Sequence, residues 1–74
     1  MSKTFYEFLC EEQAAGRLQT YFNAGVMSGM LRKMEIYKYH IEHPKMSHWN
    51  MSQKFSCSKE YIRLIYLLME QLVV

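Results

Sequence analysis

The amino-acid sequence predicts a small all-α domain of four or five helices, and three observations carry that expectation. Apolar residues recur at intervals of three and four, most clearly at Met27, Met30, Met34, Tyr37 and Ile41. Residues suited to begin a helix, Thr4, Ser47 and Ser58, stand ahead of such runs. No stretch alternates apolar and polar residues as a half-buried strand does, and no repeat or low-complexity tract interrupts the pattern.

The elements follow in order. Thr4 and Glu7 fit a capping box, in which hydroxyl and carboxylate each satisfy a free backbone amide at a helix start. Phe5, Phe8 and Leu9 continue at helical spacing, and Gly16 can end the helix in the left-handed conformation. Leu18, Tyr21 and Phe22 form a short apolar set, either a separate helix or a turn, before Asn23 and Gly25. The stripe from Met27 to Ile41 marks a core helix, with Arg32, Lys33, Glu35 and Lys38 mostly off it. Its two heptads are too few for a coiled coil. Ser28 is a candidate cap, and Gly25 and Gly29 leave the start open between helix and loop. The helix should stop before Pro44, because proline pushes His43 out of helical dihedrals. Ser47 opens a further helix to about Phe55, with Met51 and Phe55 four apart. Ser56-Cys57-Ser58 is a break, and from Lys59 the last helix runs toward the C-terminus with no proline or glycine to stop it.

Composition bounds the rest. A chain of 74 residues is one domain, read as an N-terminal helical extension (1–25) on a trihelical core (26–74). A chain this short buries only about 60% of its unfolded surface, so its stability margin is thin. Apolar content of 50% with 15% aromatics excludes disorder. The longest apolar run, Leu64 to Met69, is far below the about 20 residues that span a bilayer, and the opening residues lack the apolar stretch of a signal peptide. The expectation is a soluble, cytoplasmic protein with no membrane partner. Cys10 and Cys57 are too few and too far apart for a disulfide framework and read as reduced thiols.

Net charge is +2, unevenly spread. Residues 1–16 carry −2 and residues 17–74 carry +4, so an anionic partner should meet the body of the chain. The sequence points away from an enzyme and from any cofactor: it has no aspartate, no glycine-rich phosphate loop and no carboxylate pair with a supporting pocket. His48 and Cys57 are the one nucleophile–base pair within reach, and a thiol buried among apolar groups is inert. His40, His43, His48 and Cys57 match no paired zinc spacing, so no metal is expected. The first two histidines are better explained as favourable charges at a helix C-terminus.

Residues His48 to Tyr66 resemble the helix-turn-helix superfamily of DNA-binding domains, within a motif spanning about residues 47–72. Met51 and Phe55 supply the inner face of the first helix, and Ser52 the small residue at the crossing. Cys57 is the plug after the turn, Ser58 the cap, and Ile62 with Ile65 the inner face of the second helix. Ser56 departs from the pattern: it stands where the family most often has glycine, in a turn whose left-handed conformation costs a serine about 1 kcal/mol or more. The resemblance implies double-stranded DNA as partner, in transcriptional or mobile-element regulation, with Ser58, Lys59, Glu60, Tyr61 and Arg63 facing bases or phosphates. Lys59, Arg63, Tyr66 and Glu70 also form the one polar stripe of that helix. Arg63 suits bidentate reading of guanine, Lys59 guanine or phosphate, and the amides near Ser47 and Ser58 phosphate. His48 and Lys54 flank the same surface.

The remainder of the last helix is apolar nearly all round and must be covered. Ile62, Ile65, Met69 and Leu72 can face the chain's own core, leaving Leu64, Leu68 and Val74 for a homodimer contact, to which Leu72 adjoins. The alternative is a protein–protein interaction module that uses the apolar C-terminal helix or the acidic N-terminal helices. Trp49 separates the two: turned outward it can anchor a protein partner, turned inward it is core.

Overall fold

Thr4 starts the first helix as its side chain dictates. In the computed structural model, which describes residues 2–73, the Thr4 hydroxyl accepts from the Glu7 amide at 3.2 Å and the Glu7 carboxylate accepts from the Thr4 amide at 3.1 Å. Helix α1 (Phe5–Ala14) then runs until Gly16 turns the chain at φ 73°. It buries Leu9 and also Glu12, whose charge is met by Arg17 Nε at 2.6 Å and the Tyr21 hydroxyl at 3.1 Å. The apolar set at Leu18 is a single 3-10 turn, Leu18–Thr20, that buries Leu18.

Asn23, not Ser28, caps the next helix, accepting from the Val26 amide at 2.9 Å. Helix α2 (Ala24–Glu42) therefore contains both Gly25 and Gly29. It ends one residue before His43, which takes φ −132° and ψ 67° ahead of Pro44. The buried face of α2 differs from the sequence stripe at its C-terminal end. Met34 and Ile36 are buried, whereas Ile41 is 52% exposed. A seven-residue repeat drifts by about 20° per heptad relative to a straight helix. By the last turn His40 has taken the inward position, its ring stacked on Tyr66 at 4.0 Å between centroids.

Helices α3 (His48–Phe55) and α4 (Lys59–Met69) begin at serine caps: Ser47 accepts from the Asn50 amide at 3.1 Å and Ser58 from the Tyr61 amide at 3.0 Å. Between them Ser56 adopts φ 54° and ψ 49°, and the amides of both Ser56 and Cys57 return to the Ser52 carbonyl. Arg32 of α2 donates to the carbonyl of Phe55 at the end of α3. One core cluster joins Leu9 and Leu18 to Met34, Ile36, Met51, Ile62, Ile65, Tyr66 and Met69. Helix α4 is its centre, touched by α1, α2 and α3. Residues from the first 25 thus share the core built around α4.

The last helix does not continue to the chain end. After Met69 the chain lies along residues 3–5: the Gln71 carbonyl accepts from Phe5 at 2.7 Å, Val73 donates to Lys3 at 2.9 Å, and Thr4 bridges Leu72. The first amides of a helix need external acceptors, and the chain end supplies one to α1. Leu64, Leu68 and Leu72 consequently do not form one helical seam, and Val74 lies outside the described residues. Among the described residues no helix is long and apolar enough to cross a membrane.

Candidate functional site

The starts of α3 and α4 open on one shallow concavity, lined by Ser47, His48 and Trp49 from one helix and Ser58, Lys59, Glu60 and Arg63 from the other. The left-handed residue Ser56 makes this possible, because it reverses the chain within three residues. A helix leaves its first amides without acceptors inside itself, and those amides form the positive end of its dipole. Serine hydroxyls take the amides of Asn50 and Tyr61. The amides just before them belong to residues that line the concavity, so two positive helix ends converge there.

Side-chain charge adds to this. Lys59 and Arg63 are exposed, and Arg63 Nε donates to Glu60 at 2.7 Å. That contact holds the Glu60 carboxyl below its ordinary range and raises the Arg63 guanidinium further. Because Nε makes the bond, the two terminal amino groups of Arg63 stay free to grip a second acceptor. The chemistry available is the recognition of anions and of hydrogen-bond acceptors on a flat edge. The concavity contains no thiol and no carboxylate pair. Among the described residues no three metal-ligating side chains converge, and Cys10 and Cys57 are half-buried free thiols.

Six of the nine sequence-predicted DNA-facing residues meet in this concavity: Ser47, His48, Ser58, Lys59, Glu60 and Arg63. Three do not. Tyr66 is 7% exposed, lying among Ile62, Ile65 and Met69 on the inner face of α4 with His48 against its ring edge at 5.3 Å. The polar stripe fails there because a tyrosine ring four residues after Ile62 belongs to the apolar face. Burial, then the nearby Cys57 and Glu70, push its hydroxyl above the ordinary tyrosine value. Among the described residues neither the Tyr66 hydroxyl nor His40 Nδ1 has a hydrogen-bond partner. Tyr61 is half-buried on the opposite flank of α4, beside Lys33, Leu64 and Leu68. Lys54 is exposed but outside the concavity, in a cation–π contact with its ammonium 4.6 Å over the Tyr39 ring and beside Glu35 and Glu42.

One residue the sequence left open and one it missed complete the site's surroundings. Trp49 is 57% exposed at the concavity, a position that α3 alone could not settle. Lys33 adjoins α4 only through tertiary packing of α2, and no local signal marks it. No family model, curated protein or solved structure matches the chain.

Proposed function

We propose that the chain binds double-stranded DNA, with α3 and α4 acting as a helix-turn-helix, and works as a regulator of transcription or of a mobile element. The observation that supports this best is the convergence of two serine-capped helix starts with Lys59 and Arg63 on one concavity. An α-helix about 10–12 Å across fits the major groove, which is about 12 Å wide. With α4 seated there, the helix starts meet phosphates, Lys59 meets phosphate or guanine, and Arg63 grips the O6 and N7 of guanine.

Homodimerisation remains part of the proposal, with its contact moved. Leu72 and Val73 are exposed beside Lys3 and Thr4, at the end of α4 away from Lys59. A contact there leaves the concavity free and lets two copies address half-sites about 34 Å apart. Exposure of Trp49 favours a second reading, in which the same concavity anchors a protein partner.

A titration with mixed genomic duplexes at about 50 mM salt separates the readings, because counterion release makes phosphate binding strong there. Binding should fall by orders of magnitude toward about 200 mM salt. Lys59→Ala should lower the salt slope by about 1, and Arg63→Ala should also relax sequence preference. Absence of any shift at low salt refutes the DNA reading.

A further inference from the structure

Among the described residues Glu60 is the one carboxylate that lines the concavity, beside Lys59 and Arg63. It stands in the first turn of α4 with its side chain 64% exposed. A carboxylate suits the positive end of a helix and pairs there with Arg63, yet both effects are small at an exposed site. On a surface that meets a polyanion the same charge is a cost, because it repels phosphate, unless a hydrogen-bond donor of the partner meets it.

The geometry of the pair identifies that donor. Arg63 Nε donates to Glu60 Oε2 at 2.7 Å. One bond uses one of about four lone-pair sites of a carboxylate, so Glu60 keeps acceptor capacity beside the free fork of Arg63. Arg63 also holds the carboxyl below its ordinary range, which keeps it ionised and therefore acceptor-only. The two side chains thus present donors and an acceptor next to each other, three residues apart. Three residues rise about 4.5 Å along a helix, close to the about 3.4 Å step between stacked base pairs, so the pair spans neighbouring positions in a groove. In the major groove guanine and thymine show a carboxylate only acceptors, and the amino group of adenine lies next to its N7 acceptor. Cytosine alone presents an amino group, N4, with no acceptor on the same base edge.

We propose that Glu60 reads the N4 amino group of a cytosine in the base pair next to the guanine gripped by Arg63, so that Glu60 sets sequence preference together with Arg63. This deepens the DNA-binding reading and rests on it.

Selection from a random duplex library by the wild-type protein, followed by base replacement in the selected duplex, tests it. The selected duplexes should share a guanine with a cytosine in the adjoining pair. Replacing that cytosine–guanine pair by thymine–adenine sets an O4 acceptor against Glu60 and should lower affinity about tenfold, the usual effect of one mismatched pair. N4-methylcytosine, which keeps the pairing and puts a methyl in place of the groove-facing proton, should weaken binding as well. Glu60→Gln and Glu60→Ala, with helical circular dichroism retained, should bind mixed duplexes more tightly and lose the cytosine preference while keeping the guanine preference. A wild-type protein that selects duplexes with no cytosine preference next to the guanine overturns the inference and leaves DNA binding standing. So do Glu60 variants that lose only the guanine preference, since Glu60 then does no more than position Arg63. No duplex selected at about 50 mM salt, where phosphate contacts are strong, refutes both.

Discussion

Ser56 is held in a conformation that a residue with a Cβ occupies at a cost, and removing that Cβ tests the turn on which the concavity depends. At φ 54° and ψ 49° it lies in the left-handed region, where an L-residue loses about 1–2 kcal/mol. Its side chain is exposed, and the turn is closed by the backbone bonds of Ser56 and Cys57 to Ser52, which glycine retains. Ser56→Gly relieves the strain but frees the unfolded chain, an opposing effect of about 0.4–1 kcal/mol. The net gain is about 0.5–1 kcal/mol. In a domain of this size each kcal/mol moves Tm by about 4–8 °C, so a rise of about 2–8 °C is expected. Gly16 supplies the opposite sign: it has φ +73° with nothing within 4 Å of an added Cβ, so Gly16→Ala adds strain without a clash and should lower Tm by a similar amount. Thermal melts followed by far-UV circular dichroism, with urea titrations to check that the m-value is unchanged, measure both. A Ser56→Gly protein that melts below wild type at constant m-value would refute the assignment of strain to this turn.

Tyr66→Phe removes a buried hydroxyl without a partner while keeping the ring on His40, so it should stabilise by about 1 kcal/mol; a lower urea midpoint would show that the hydroxyl is bonded. The Glu7 carboxyl is held below its ordinary 4.5 by hydrogen bonds from the Thr4 backbone and side chain. Its contribution is therefore present above pH about 4.5 and lost as pH falls through the depressed value, and Glu7→Gln should flatten the loss of Tm between about pH 5 and 3. Tyr6 and Tyr37 are pushed up to about 12, chiefly by burial, so the folded chain holds those protons more tightly. Their contribution is complete below pH about 10 and disappears toward 12, and absorbance at about 295 nm should show these phenolates forming late unless the chain unfolds first. Glu60→Gln removes a negative charge and the hold on Arg63, and should raise duplex affinity; unchanged affinity would mean that Arg63 does not touch DNA.

What the sequence carried, it carried through short-range chemistry. The Thr4–Glu7 capping box and the serine caps at Ser47 and Ser58 depend on neighbours within about four positions, and each stands where the residue types require, whereas the left-handed turn at Ser56 was expected from the helix-turn-helix resemblance and against the preference of serine. The core positions Met51, Ile62, Ile65 and Met69 were legible for the same reason. Features set by distant segments were not. Ile41 yields to His40 because an aromatic partner on α4 decides which residue of the last turn faces inward. Helix α4 stops at Met69, with no breaker residue, as the following residues lie against Lys3 and Thr4 from the other end of the chain. Lys54 finds the Tyr39 ring across a helix boundary that no local spacing reveals.

That division also explains the apolar surplus of a 74-residue chain. Read as one continuous helix to Val74, the surplus needs a second copy to cover it. With α4 ending at Met69 it separates into three parts. Ile62, Ile65, Tyr66 and Met69 face inward and are covered by α1, α2 and α3. Leu72 and Val73 belong to an extended segment beside the N-terminus. Leu64 and Leu67 stay exposed on the face that carries Arg63. A helix whose inner face already anchors three others cannot turn those two leucines inward without exposing Ile62 or Ile65, each worth about 1.5–3 kcal/mol in burial. The fold therefore commits them to the outside, where two half-exposed leucines are an ordinary feature of a folded surface.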